Sequence, residues 1–206
     1  MTILHHPSEF TLVDYANGRL DAGRHLVVET HVEHCQHCSD YLGLLDKAGG
    51  ALLDAVKPVA MDNDALERSW AKIELALSRD GEESLSGHAL DRVKLGKWRW
   101  IGPRVQWRSV DLNEAGDTRV FMLRAAGGTW LPRHKHTGTE WTCVLEGAFS
   151  HAGGRYGPGD FDEADDAMEH HPFVEEGVPC VCLIALQGKV RFESWIGRLI
   201  QPFVRL

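Results

Sequence analysis

Residues 128–147 read GTWLPRHKHTGTEWTCVLEG. In an extended strand, His134 and His136 are two residues apart, so both imidazoles point to one side. Glu140 follows a turn at Thr137-Gly138-Thr139 and can return to that side. Gly128 and Gly147 bracket the three at places where a turn must pass close to backbone. Two imidazoles and a carboxylate converging inside a small β-structure form a metal-site pattern, against the plainer reading of Arg133-His134-Lys135-His136 as a solvated loop. A fourth ligand has to come from a later strand. His170 and His171 are the candidates, only one of the adjacent pair can face inward, and His170 is preferred. A His3Glu set accepts Zn, Mn, Fe, Ni or Co, so the pattern leaves the metal open.

Outward from this stretch the alternation continues. Trp98/Trp100, Val105/Trp107, Val120/Met122 and Cys180/Cys182/Ile184 recur at period two from Gly96 onward. Gly102-Pro103, Gly127-Gly128, Gly153-Gly154 and Gly157-Pro158-Gly159 punctuate them. Short strands with regular turn signals predict a β-barrel or sandwich over residues 96–200.

The first 80 residues have a different period. Helices are expected from Ser8-Glu9-Phe10-Thr11 to Asn17-Gly18, from about Asp21 to His34, from near Cys35 to about Val56, and after a cap at Asp62 or Asn63. The fourth carries Leu66, Trp70, Ile73 and Leu77 on one stripe, to pack on the third helix or on a partner. Residues 81–95, with Gly81, Ser84, Ser86 and Gly87, read as a linker.

Residues 31–38 read HVEHCQHC. His31, Cys35 and Cys38 are i, i+4 and i+7, and on a helix, or a helix with a short break, they lie on one face. Two thiolates and an imidazole suit tetrahedral zinc, and a closed structural site needs a fourth ligand. His5, His6, His25, His34 and His37 are the candidates. His34 and His37 point away if the other three converge, and His6 is favoured over His5 at an N-terminus that a tether would order. Two small cysteines beside a surface histidine are the bland alternative.

Five cysteines, an odd number with two close pairs, suggest metal ligands or reactive thiols more than a disulfide framework. Cys180 and Cys182 share a strand face as a candidate oxidant-sensitive pair, although two small apolar core residues explain them as simply. Cys143 reads as core, and the acidic run over residues 160–169 as a solvated loop or a shield at the barrel mouth.

The chain has 206 residues and a formal charge of −8. Residues 1–80 hold 13 acids and 7 bases, giving −6, which suits a basic partner. No basic stripe is present, so direct nucleic-acid binding is not expected. No apolar h-region opens the chain and no stretch approaches the length of a membrane span, so a cytoplasmic protein is expected.

The 128–147 pattern is similar to the first motif of the cupin superfamily, and Pro158-Gly159-Asp160-Phe161 resembles the turn of the second. The histidine followed by Cys-x2-Cys is similar to the zinc anti-sigma domain. Helical zinc unit, linker and single cupin together resemble the ChrR family of anti-sigma factors over essentially the whole chain. That resemblance implies zinc on His6, His31, Cys35 and Cys38, and a second metal on His134, His136, Glu140 and His170. It implies N-terminal helices that bind a group IV (extracytoplasmic-function) sigma factor. It also implies a cupin that governs release in response to oxidants such as singlet oxygen, with no catalytic residues. The competing expectation is a cupin-type metal-dependent dioxygenase with a regulatory helical appendage.

Overall fold

The computed structural model describes residues 2–79, 88–112, 117–165, 169–188 and 190–192; the side chains of 76–79, 136, 169, 170 and 190–192 lie outside the description. Four helices come first. Helix α1 (Glu9–Ala16) is capped by Ser8, whose hydroxyl accepts from the Thr11 amide, and Glu9 sits in its first turn where the helix dipole favours an acid. Its buried residues are Thr11 and Leu12, whereas Phe10 is 85% exposed. Helix α2 (Ala22–Val32) is capped by Asp21 through the Arg24 amide. Helix α3 (Gln36–Asp54) follows a break at residues 33–35, and α4 (Ala65–Arg79) stands last.

Among the described residues thirteen strands follow: β1 (Lys94–Leu95), β2 (Arg99–Gly102), β3 (Val105–Asp111), β4 (Thr118–Ala125), β5 (His134–His136), β6 (Glu140–Glu146), β7 (Phe149–His151), β8 (Gly154–Tyr156), β9 (Phe161–Ala164), β10 (Glu169–His170), β11 (Phe173–Val174), β12 (Cys180–Gln187) and β13 (Val190–Phe192). A 3-10 turn over Ala89–Arg92 and β1 occupy the second half of the stretch that reads as linker. The main sheet runs β1-β3-β4-β12-β6-β9, with β2 also on β3; two three-stranded sheets, β10-β5-β13 and β11-β7-β8, complete the cupin-like unit. Among the described residues the main sheet stays open and does not close into the expected barrel.

Strand β12 carries the period-two set Cys180, Cys182 and Ile184, and it is buried on both faces. Cys180, Cys182, Ile184 and Leu186 enter a cluster with Phe121, Val144, Phe149 and Tyr156 on the cupin side. Val181, Leu183 and Ala185 enter a cluster with Leu26, Val27 and Val28 of α2 on the other. A helix covers the face that a one-sided antiparallel sheet would leave to water, and the sequence there becomes a continuous apolar run.

Helix α2 is therefore packed into the sheet. Asp21 accepts from the Thr118 hydroxyl at 2.9 Å, and Arg24 lies 5.3 Å from the ring centre of the buried Trp141. A Cβ on Gly23 would meet the stiff side chains of Val120 at 2.8 Å and Thr118 at 2.9 Å. Gly43 in α3 has open space around it. The same substitution should therefore have opposite signs at the two sites. Gly43→Ala gains about 0.5–1 kcal/mol of stability in chemical denaturation. Gly23→Ala loses stability, because overpacking of about 1–3 kcal/mol outweighs the gain in helix propensity.

Candidate metal centre

The break between α2 and α3 places His31, at the buried end of α2, beside Cys35 and Cys38 at the start of α3. Cys35 occupies the N-cap position of α3 but makes no capping hydrogen bond; its sulfur turns instead to His6 Nδ1, 3.2 Å away. Cys38 Sγ lies 3.5 Å from His6 Nδ1 and 3.3 Å from His31 Nε2. The four donor atoms all fall within 4.8 Å of one another. A tetrahedral zinc with bonds of about 2.3 Å to sulfur and about 2.05 Å to nitrogen spaces N and S about 3.5 Å apart, so this cluster has the right size and donor chemistry.

The surroundings prepare the donors. His31 Nδ1–H donates to the Gly159 carbonyl at 2.7 Å, which assigns the lone pair to Nε2, the atom facing Cys38. Burial lowers His31 to about 4, against the opposing pull of that carbonyl bond, and burial followed by His37 lowers His6. Both imidazoles are thus kept neutral, the form that ligates. Burial, reinforced by Cys35, pushes the Cys38 thiol up to about 12. The N-terminal end of the α3 dipole favours a thiolate at Cys38 once a cation displaces its proton. The other candidate histidines lie elsewhere. His5 stacks on Tyr156 at 4.2 Å, His25 packs on Tyr15, and His34 donates to the Thr30 carbonyl. The ring centres of His37 and His6 are 4.8 Å apart, but His37 is outside the donor group.

In the cupin-like unit, Glu140 begins β6, and burial, with Asp162 adding to it, pushes its carboxyl up to about 8. His134 donates Nδ1–H to the Pro132 carbonyl at 2.7 Å, and burial lowers its pKa. The backbone pairs His170 of β10 directly with His134 of β5. The side chains of His136 and His170 lie outside the described residues, whereas His171 rests its ring on Trp130 at 4.6 Å.

Three residues of this interior were missed from sequence. His151 lies on β7 with its side chain buried and donates Nε2–H to Asp162 at 3.0 Å, while its Nδ1 accepts from the Gly153 amide. Asp160 and Asp162 belong to the acidic run expected in solvent, yet both are buried, because each has hydrogen-bonding partners inside. Cys180 and Cys182 are buried with their sulfurs 3.6 Å apart, and the contact with Cys180, with burial, holds the Cys182 thiol up. Cys143 is core, as expected.

A family described as the ChrR cupin-like domain matches residues 87–189. The anti-sigma-E factor ChrR of Cereibacter sphaeroides is 35% identical over 215 aligned positions that span all of both chains. The chain belongs to the ChrR family. A solved ChrR-family structure, that of Rhodobacter sphaeroides SigE in complex with the anti-sigma ChrR, matches at 33% identity and a TM-score of 0.73, over 90% of this chain and 100% of that one. The His2Cys2 group of this ChrR-family chain fits zinc, as the expectation from His31, Cys35 and Cys38 required.

Cys38 keeps its proton below about 12, so zinc must displace it throughout the neutral range, while His31 has no proton to lose above about 4. Apparent zinc affinity should accordingly climb about tenfold per pH unit for each displaced thiol proton between pH 6 and 8, with proton release on loading. Competition with a chromophoric chelator across that range measures it, and Cys38→Ser should lower the slope and abolish tight binding.

Proposed function

We propose that this chain is an anti-sigma factor whose helical residues 1–80 grip an extracytoplasmic-function (group IV) sigma factor in the cytoplasm, with residues 96–200 as the sensing unit. The observation that carries this reading is the full-length likeness to ChrR, a chain solved in complex with a sigma factor. It favours this reading over a cupin dioxygenase.

The surface of the helices supports it. Leu66, Trp70 and Ile73 on α4 are 72, 60 and 49% exposed, and Leu44, Leu52 and Leu53 on α3 are exposed as well. The stripe that could have packed on α3 instead faces outward at these three positions, and the side chain of Leu77 lies outside the described residues. Contiguous exposed apolar surface of this kind marks an interaction site. The −6 charge of residues 1–80 suits a partner that must itself bind DNA. Among the described residues no helix is long and apolar enough to cross a membrane.

On this reading zinc on His6, His31, Cys35 and Cys38 ties the N-terminal strap and helices α2 and α3 into one gripping surface. The cupin set His134, His136, Glu140 and His170 takes a second divalent ion, zinc or another such as Mn, Fe or Ni. Oxidants such as singlet oxygen act at the cupin to release the partner, with Cys180 and Cys182 as the buried thiol pair there.

Two measurements separate the parts. In co-purification with an extracytoplasmic-function sigma factor, Trp70→Ala should weaken binding about thirtyfold, the loss of about 2 kcal/mol typical of an interface anchor. Cys35→Ala/Cys38→Ala should abolish capture, and capture undiminished by that pair would overturn the zinc-dependent grip. Metal analysis should find about two ions per chain in the wild type and about one in Glu140→Gln, with the zinc retained; an unchanged metal content would remove Glu140 from the cupin set.

A further inference from the structure

The zinc cluster is assembled on helices, yet its two imidazoles are oriented by one turn of the cupin-like unit, residues 157–160. Gly159 supplies the carbonyl that fixes the His31 tautomer. Asp160 takes the segment before His6: its Oδ1 accepts from the backbone N–H of Leu4 at 2.7 Å and of His5 at 2.9 Å, while its Oδ2 accepts from the Gly157 amide at 2.8 Å. The Phe161 amide then donates to the His5 carbonyl at 3.1 Å. Ile3 lies on the bare α-carbon of Gly159, where a Cβ would come within 2.5 Å of it. Beyond His6, the Ser8 amide donates to Glu163 at 3.0 Å. His6 is thus suspended between two anchor points, both on residues 157–163, and no helix of its own holds it.

We propose that Asp160 is a positioning residue of the zinc centre, holding the Leu4 and His5 amides so that the strap presents His6 to the helical ligands. The inference rests on the zinc reading above and adds to it that the cupin side completes the site. Asp160 is buried and accepts from three backbone amides, and its charge also reaches His6 and His31 through space, so the strap's share of its effect on zinc is the part that disappears when His6 is removed.

The test is a double-mutant cycle on the full chain, read as zinc affinity by chelator competition. Outer partners of metal ligands are worth about 10–100-fold in affinity, so Asp160→Asn should weaken zinc by that factor in the chain that keeps His6. In a His6→Ala background the same change should cost at least about fivefold less, because the share carried by the strap is lost with His6 while the through-space effect of the charge on His31 remains. With cobalt(II) in place of zinc, the visible spectrum of Asp160→Asn should move toward that of His6→Ala. Wild-type affinity in Asp160→Asn, or an equal loss in the His6→Ala background, overturns the proposal. Should Asp160→Asn fail to fold, Leu4→Pro removes one of the two amide donors from the strap side, and the same cycle decides. A wild-type chain that takes up no zinc overturns the zinc reading itself, a result distinct from tight zinc that ignores Asp160.

Discussion

Burial of α2 on two sides is the constraint from which the other placements follow. One side meets the sheet through Leu26, Val27 and Val28, against Val120, Leu183 and Ala185. His31, which belongs to the same buried helix, hydrogen-bonds the Gly159 carbonyl and faces Cys38. Because the helix cannot rotate without exposing either its apolar side or a neutral histidine, its register fixes where Cys35 and Cys38 emerge after the break at residues 33–35. Asp21 and Arg24 pin the opposite end of the helix to Thr118 and Trp141. Helical and β parts share a single apolar core across this contact.

Strand β9 divides its side chains between the two parts. Phe161 packs against His31 and Trp141, and Glu163 bonds the Ser8 amide and the Thr11 hydroxyl at the start of α1. Asp162 points the other way, to His151, and raises the Glu140 carboxyl. Period-two alternation thus carries one strand between the zinc cluster and the cupin interior, with a single residue step from the Phe161 side to the Asp162 side.

Much of this was legible in the sequence because spacing is itself geometry. The spacing of His31, Cys35 and Cys38 declares donors that converge, and they meet across the break between α2 and α3. Helix starts at Ser8 and Asp21 were readable from the capping chemistry of those side chains. What escaped depended on tertiary neighbours. Asp160 and Asp162 look like solvent residues until the strap amides and His151 are brought to them. Phe10 looks like core but lies outside, because the adjacent Thr11 and Leu12 face the interior. The run of residues 181–186 hides its alternation because both of its faces are covered. His6, favoured from the sequence, is the N-terminal histidine in the cluster, and His5 stacks on Tyr156 instead.

The outward-facing stripe of α4 has a consequence for the life of the chain in a cell. A helix whose Leu66, Trp70 and Ile73 gain little from its own fold opens at small cost, and segments that open cheaply are where proteases first cut. A protein seated on that stripe would shield it, so turnover would remove unoccupied copies first. The amount of this chain would then follow the amount of its partner without any dedicated control of synthesis, and a surplus of inhibitor would erase itself.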